Sequence, residues 1–324
     1  MMSSYIRFPA PPLEGGAGNC FLQTISKGIL HMKKKTVLSF AVLFSLALLL
    51  LLALSYKDEE ESGTGLAAYR IVAHGMGSVN GHKYTNAFEA FVANYEAGTR
   101  MFETDLLLTS DGKLVARHEW TKNMSKELGQ LDALPAHEQG KALSYEDFMN
   151  TPILDIYSPM DWDTVLDLLQ HYPDAYIVTD IKKSGKAMAK EFEMLVEKTL
   201  ERDPALLTRI VPQIYNRPML EELNKIYAFP HVIYTLYDSP DSDEEVIEFI
   251  QKTNVDITMP VDRANAGFVG RLKDAGARVY VHTVNDMREI RRLHRLGVDG
   301  FYTDFVSENE VKTSGGLRRS LWPK

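Results

Sequence analysis

Residues 278–305 read RVYVHTVNDMREIRRLHRLGVDGFYTDF. Both ends of this stretch, Arg278–Val284 and Gly300–Phe305, are rich in β-branched and aromatic side chains and predict strands. Between them, apolar side chains recur at helical spacing at Met287, Ile290, Leu293 and Leu296. Gly297 follows directly and is typical of the end of a helix. The stretch therefore predicts a strand–helix–strand unit.

The same alternation extends back through the chain to residue 70. Further strands are predicted at Arg70–Gly75, Met101–Leu107, Ala175–Lys182, Arg209–Tyr215, His231–Tyr237 and Asp256–Val261. Helices are predicted at Asn86–Ala97, Asp161–His171, Lys186–Glu201, Pro218–Tyr227, Asp243–Lys252, Ala266–Ala275 and Asp286–Leu296. Eight strands joined by helices over about 250 residues are typical of a (β/α)8 TIM barrel, an α/β fold. A doubly wound sheet is the alternative, but the sequence lacks the glycine-rich phosphate loop that usually follows its first strand.

The region before the barrel contains an uncharged, largely apolar segment, long enough to cross a bilayer as a helix. Lys33–Lys35 precede this segment and the acidic run Asp58–Glu61 follows it, so the positive-inside rule places the body outside the cell. We expect a single-pass cell-membrane protein with an extracellular domain. Cleavage as a signal peptide would make it secreted, and a buried core helix is a further alternative. The predicted organisation is a cytoplasmic basic segment at 1–35, a transmembrane signal anchor at 36–56, a linker at 57–68, the barrel domain at 69–310 and a C-terminal tail at 311–324.

Composition excludes several classes of protein. The chain has 45% hydrophobic and 25% charged residues, as ordinary globular proteins do. Its net charge of −8 argues against nucleic-acid binding, which needs a basic surface to replace phosphate counterions. The single cysteine, Cys20, excludes an internal disulfide and a cysteine-ligated zinc site. We therefore expect no nucleic-acid partner, and a membrane contact through the N-terminal helix.

Ionisable residues lie at the ends of the first predicted strands, where a barrel places its active site. His74 ends the first strand. Glu103 and Asp105 lie two apart on the second strand, so both carboxylates point to the same side. Two carboxylates on one inward face repel each other unless a cation neutralises them, and a hard divalent ion is the usual solution.

The next two strand ends add a histidine, an acid and a lysine. Thr109-Ser-Asp-Gly112 predicts a tight turn into a return strand, Lys113–Arg117, which brings His118 to the same rim. Asp180 and Lys182 share a face on the following strand. Mg²⁺ or Ca²⁺ held by oxygen ligands can bind a phosphate oxygen, and a lysine can neutralise the remaining phosphate charge. Two histidines can act as an acid/base pair.

Each of these residues also has an ordinary structural interpretation. A lone histidine is usually hydrogen-bonded, an Asp-x-Lys is usually an ion pair, and Asp-Gly is usually a turn. Their occurrence in barrel order on three successive strand units favours a shared site. The histidines without such neighbours are predicted to be surface or structural residues: His82, His137, His171, His231 and His294.

The order of these motifs resembles the glycerophosphodiester phosphodiesterase family, in the superfamily of barrel phosphodiesterases that includes the phosphatidylinositol phospholipases. The matching residues are His74, Asn86-Ala-Phe-Glu-Ala-Phe91, Phe102-Glu-Thr-Asp-Leu106, Thr109-Ser-Asp-Gly-Lys-Leu-Val115, His118, Val281-His-Thr-Val-Asn285 and Gly297-Val-Asp-Gly-Phe-Tyr-Thr-Asp304. The resemblance implies a metal-dependent phosphodiester hydrolase acting on small-molecule or lipid phosphodiesters. It makes His74 and His118 the acid/base pair, with Glu103, Asp105 and Asp180 as metal ligands and Lys182 as phosphate ligand.

The sequence also departs from the family pattern. The arginine that usually follows the first histidine is Gly75 here, and the acid before Asn86 is missing, with Glu89 one helical turn along as a partial replacement. The usual tryptophan near the last strands is His282. These differences leave two alternatives open: a sphingomyelinase-D-like phospholipase that forms a cyclic phosphate, and a catalytically inactive cell-surface binding barrel.

A long insertion, 118–160, follows the second strand and is expected to lie near the site. It contains four aromatic residues, which pack either on a lipid or on the barrel: Trp120, Tyr145, Phe148 and Tyr157.

Overall fold

The computed structural model describes residues 65–313. Its strands are β1 (Ile71–Ala73), β2 (Met101–Leu108), β3 (Leu114–Ala116), β4 (Tyr176–Asp180), β5 (Ile210–Ile214), β6 (Ile233–Thr235), β7 (Asp256–Pro260), β8 (Val279–His282) and β9 (Gly300–Thr303). All except β3 are parallel and run in the order β1-β2-β4-β5-β6-β7-β8-β9, and β9 pairs again with β1. This closure confirms the predicted TIM barrel and excludes the doubly wound alternative.

Helices follow the strands around the outside of the barrel. They are α1 (Phe88–Glu96), α2 (Lys122–Glu127), α3 (Tyr145–Asn150), α4 (Trp162–His171), α5 (Gly185–Arg202), α6 (Arg217–Ile226), α7 (Asp243–Thr253), α8 (Ala266–Asp274), α9 (Met287–Arg295) and α10 (Glu308–Thr313). Most begin at a polar side chain that accepts a hydrogen bond from the first turn. The α7 helix, for instance, has a capping box in which Ser242 and Glu245 bond each other's backbone N–H groups. Their apolar faces pack on the strands and form the main core.

The short strand β3 positions the insertion at the rim. It runs antiparallel to the end of β2, with Leu106 opposite Ala116. The turn between the two strands is the predicted one, and Gly112 has a positive φ of 79° there. Because β3 leads back along β2, the chain returns His118 to the end of the barrel at which the strands finish.

The aromatic residues of the insertion pack on the protein. Phe148 is fully buried with Val115, and Trp120 packs against the same cluster while its indole N–H donates to the Leu108 carbonyl oxygen at 3.1 Å. Tyr145 donates to Asp161 at 2.7 Å, and Tyr157 is buried in the main core. Of the two alternatives for these aromatic residues, packing on the barrel is the one observed.

A second, smaller core fills the end of the barrel at which the strands begin. Leu66, from the short 3₁₀ helix Gly65–Ala68, is buried among the inward side chains of the strands, including Val72, Met101 and Tyr280. Arg278 donates to the carbonyl oxygen of Leu66 at 3.3 Å. The helix therefore plugs this end, so the opposite end is the open one.

The last helix is fastened to the first strand. Glu308 is 2% exposed, and its Oε2 accepts hydrogen bonds from the backbone N–H groups of Arg70 at 3.2 Å and Ile71 at 3.0 Å. This carboxylate supplies the acceptor for two backbone donors at the start of β1, of which that of Ile71 is buried and that of Arg70 partly buried.

We expect Glu308→Ala to lower the free energy of unfolding by about 1–3 kcal/mol, because the buried backbone N–H of Ile71 loses its acceptor. Urea unfolding followed by circular dichroism measures the change. Lys312→Ala, at an exposed position of the same helix, is the matched control and should stay within about 0.5 kcal/mol of the parent. Equal stability of the two variants would contradict the role assigned to the carboxylate.

Several predicted segments fall partly or wholly outside the described residues. The basic segment 1–35 and the transmembrane anchor 36–56 lie entirely outside them. Between residues 65 and 313 no helix is long and apolar enough to cross a bilayer. At the predicted domain borders, the 3₁₀ helix Gly65–Ala68 falls within the predicted linker 57–68, and α10 crosses the border between the barrel domain and the tail 311–324.

Candidate active site

The predicted site residues meet at the end of the barrel where the strands finish. His74 follows β1 directly, Glu103 and Asp105 lie on β2, and His118 follows β3. Asp180 ends β4, with Lys182 just beyond it. Together with residues from the later strands they surround a cavity of about 380 Å³, which all except Asp105 line.

Three buried carboxylates lie close together at this cavity, and two of them, Glu103 and Asp180, line it. One oxygen of each of Glu103, Asp105 and Asp180 lies within 4.8 Å of the others. The backbone N–H of Gly75 donates to Glu103 Oε2 at 2.7 Å. Lys182 Nζ lies 2.6 Å from Asp105 Oδ1 and 3.5 Å from Asp180 Oδ2, so it partly neutralises the group.

The electrostatics of this carboxylate cluster favour a further cation. Burial raises the pKa of Glu103, and the negative charge of Asp105 adds to that shift. Burial also acts to raise the pKa of Asp105, but Lys182 and His118 outweigh it and lower that pKa. Glu103 Oε1 is buried and has no hydrogen-bond partner in the described part of the chain. A buried cluster with a spare oxygen fits a divalent ion such as Mg²⁺ or Ca²⁺.

Two polar side chains hold the carboxylates in place: Asn86, and Tyr215, which itself lines the cavity. Asn86 donates to Asp105 Oδ2 at 3.0 Å and accepts from the Asp105 backbone N–H at 3.1 Å. Tyr215, just after β5, donates to Asp180 Oδ1 at 2.6 Å. The predicted role of Glu89 is wrong: its carboxylate accepts from Ser158 at 2.8 Å and so ties α1 to the insertion.

His74 has a carboxylate partner that orients its ring. Its Nδ1 lies 2.9 Å from Asp304 Oδ1, and Asn285 donates to the other oxygen of Asp304 at 2.8 Å. Burial acts to lower the pKa of His74, but the bond to Asp304 and the charges of Glu103 and Asp105 outweigh it and raise the pKa to about 9. The imidazole is therefore a cation at neutral pH, with Nε2 on the ring edge away from Asp304.

We expect Asp304→Asn to lower the pKa of His74 by about one unit, because the amide removes the negative charge that stabilises the imidazolium. NMR titration of the histidine ring resonances in EDTA-treated protein measures this shift directly. Asn285→Ala keeps the carboxylate and serves as the comparison, with a smaller shift expected. An unchanged pKa in Asp304→Asn would contradict the pairing.

Tyr84 packs against both histidines. Its ring packs edge-on against His74, with centroids 4.9 Å apart, and lies 5.4 Å from the ring of His118. Burial raises the pKa of its hydroxyl to about 12, so Tyr84 stays neutral. A single ring thus contacts both imidazoles.

The second half of the cavity wall comes from the later strands. Gln213 lies on β5, Thr235 on β6 and His282 on β8, with Tyr237 just beyond β6 and Tyr302 on β9. Burial lowers the pKa of His282 to about 4, so its imidazole is neutral. The pocket therefore has a charged half from β1–β4 and an uncharged half from β5–β9.

Sequence reasoning missed several of these residues. Three of them lie at the ends of later strands: Asp304, Tyr215 and Gln213. The search for polar residues at strand ends would have found them if it had included these later strands. Tyr84 has no such signal, since it lies in a loop. The histidines predicted to be surface or structural residues do not line the cavity: His82, His137, His171, His231 and His294.

A closed eight-stranded barrel whose strand ends bring together histidines, carboxylates and a lysine defines a (β/α)8-barrel enzyme. The family model for the glycerophosphoryl diester phosphodiesterase family matches residues 77–308, more than half of the chain. The chain belongs to this family and is a phosphodiesterase enzyme. No curated protein sequence matches it.

Solved structures share the fold at low sequence identity. A phosphodiesterase from Oleispira antarctica, solved with the product sn-glycerol-3-phosphate, is 15% identical with a TM-score of 0.61, covering 76% of this chain and 96% of its own. A glycerophosphodiester phosphodiesterase from Thermotoga maritima is 20% identical with a TM-score of 0.56, covering 75% and 96%. One from Parabacteroides distasonis is 16% identical with a TM-score of 0.58, covering 72% and 92%. At these identities the similarity shows the fold.

Proposed function

We propose that the enzyme hydrolyses glycerophosphodiesters, or related lipid head-group or polyol phosphodiesters, to an alcohol and a phosphomonoester. The observation that supports this most directly is the pair of imidazoles, His74 and His118, which both pack against Tyr84 and line the same cavity as the buried carboxylates Glu103 and Asp180. The similar Oleispira enzyme, which was solved with sn-glycerol-3-phosphate, supports a glycerol phosphate substrate.

The two histidines take different parts in the proposed reaction. His74, which is a cation because of Asp304, donates a proton to the leaving alkoxide as its P–O bond breaks. His118 accepts the proton of the attacking oxygen as the new P–O bond forms. That oxygen belongs to water or to the neighbouring glycerol hydroxyl, in which case a cyclic phosphate forms first.

The phosphate lies between the charged groups in this proposal. Lys182 binds one nonbridging oxygen, because its side chain is 36% exposed and lines the cavity. Glu103, Asp105 and Asp180 would hold Mg²⁺ or Ca²⁺, which when bound supplies a positive charge that stabilises phosphate oxygens in the transition state. The spare oxygen of Glu103 and the excess negative charge support a divalent ion.

A panel of phosphodiesters assayed with the purified full chain tests the proposal. Released alcohol is measured with and without EDTA, and ³¹P NMR distinguishes a phosphomonoester from a cyclic phosphate. We expect alcohol and phosphomonoester, with activity lost in EDTA and restored by added ion. A stable cyclic product would favour the sphingomyelinase-D-like alternative, and no turnover on any diester would favour the binding barrel.

We also propose that Thr36–Tyr56 anchors the enzyme in the cell membrane with its catalytic domain outside. The lysines before the segment and the acidic residues after it support this orientation. Membrane fractionation and protease treatment of intact cells test it. We expect membrane-bound protein whose domain is cut from outside, whereas its recovery from the medium would indicate cleavage of the segment.

A further inference from the structure

The uncharged half of the cavity contains a buried ring nitrogen without a partner. His282 Nδ1 lies 2.9 Å from the hydroxyl oxygen of Thr258, which belongs to the neighbouring strand β7. Nε2, on the opposite side of the ring, is buried and has no hydrogen-bond partner within residues 65–313. Such a group destabilises the protein while it stays unpaired. A ligand hydroxyl at this wall of the cavity would remove that destabilisation.

A second unpaired group lies on the same half. The Oε1 atom of Gln213 accepts a hydrogen bond from Tyr302 at 3.1 Å, which orients the side-chain amide. Its amide nitrogen has no acceptor in the described part of the chain, and Gln213 lines the cavity. Gln213 and His282 therefore offer hydrogen bonds that the protein itself does not use.

Tyr237 provides an exposed aromatic surface beside them. It is 56% exposed, lies just beyond β6 and lines the cavity. Its ring centroid is 6.2 Å from that of His282. Exposed aromatic faces pack well against the C–H faces of ring-shaped ligands, so the uncharged half combines a flat apolar surface with unpaired polar groups.

We propose that this half of the pocket, formed by Gln213, Tyr237 and His282, binds an uncharged polyhydroxylated alcohol, such as a cyclitol or sugar ring, as the alcohol part of the phosphodiester. This inference rests on the proposed function, in which the phosphate occupies the charged half. The ring hydroxyls pair with His282 Nε2 and the Gln213 amide. A choline group has no hydrogen atom to donate and no lone pair to accept with, so it leaves both unpaired.

The test compares two diesters that differ only in this alcohol. Glycerophosphoinositol and glycerophosphocholine are hydrolysed by the purified full chain, and kcat/KM is measured for each. We expect the inositol diester to be preferred by about tenfold or more, the equivalent of one to two hydrogen bonds. Equal values, or a preference for choline through cation–π contacts with Tyr237, would overturn the inference.

Variants identify the residues responsible for the preference. His282→Phe should reduce it about tenfold by lowering kcat/KM for the inositol diester while the choline diester changes little. His231→Phe, the same substitution at an exposed position, should leave the ratio unchanged. Tyr237→Ala changes an exposed side chain and serves as the second variant if His282→Phe does not fold. It should lower kcat/KM for the inositol diester more than kcat/KM for the choline diester. A preference unaffected by both pocket variants would contradict the assignment.

Binding measurements separate this inference from the proposed function. Inositol 1-phosphate and phosphocholine are titrated into the wild-type protein by calorimetry. Tighter binding of inositol 1-phosphate that is lost in His282→Phe supports the subsite, even if no diester is hydrolysed. The absence of hydrolysis would then reject the proposed function but not the subsite. Tighter binding of phosphocholine, or equal binding of the two, would reject the subsite even if hydrolysis occurs.

Discussion

Replacing His118 with alanine lowers kcat by about 10²–10⁴-fold, because the attacking oxygen loses the base that accepts its proton. His74→Ala has an effect of similar size, since the leaving alkoxide then departs without a proton. The double variant falls little further, because either loss already disables the same proton-transfer cycle. Steady-state kinetics on the best diester of the panel measure all three.

The barrel should remain folded in these variants, since both rings line an open cavity. Thermal unfolding followed by circular dichroism checks this, with His231→Ala as a control at an exposed histidine. Turnover near that of the wild type in either single variant would remove that histidine from the mechanism.

Asp105→Asn makes the enzyme depend on much higher concentrations of Mg²⁺ or Ca²⁺. The substitution keeps the shape of a side chain that Asn86 and Lys182 hold at 3.0 Å and 2.6 Å, but removes one negative charge from the carboxylate cluster. Substituting a residue that only supports a metal ligand weakens metal affinity by about 10–100-fold. Substituting a ligand itself should therefore weaken metal affinity at least as much.

Activity is measured while each ion is added back to EDTA-treated enzyme. Asp262→Asn, which removes an exposed acid, is the matched control and should follow the wild-type curve. If neither EDTA nor added ion changes the wild-type rate, the carboxylates have another purpose and the metal hypothesis fails.

The fold was predictable because its signals are local and repeated. The helix pattern of 286–296 and the strands on either side of it are found in the structure as α9, β8 and β9. The carboxylates of β2 were predictable for a related reason: residues two apart on a strand share a face, and parallel strands bring their ends to one rim.

The supporting residues depend on contacts distant in sequence. His74 and Asp304 are 230 positions apart, and nothing near either residue indicates the other. Glu89 was misassigned because helical spacing gives the direction of a side chain on α1 but not the neighbour it meets, which is Ser158 of the insertion. Such pairs become visible only when the barrel closes.

The plug at Leu66 has a practical consequence for handling the enzyme. Residue 65 lies at the closed end of the barrel, and the substrate entrance is at the opposite end. A resin, dye or fusion partner joined to a chain shortened to residue 65 would thus lie at the closed end of the barrel and leave the substrate entrance clear.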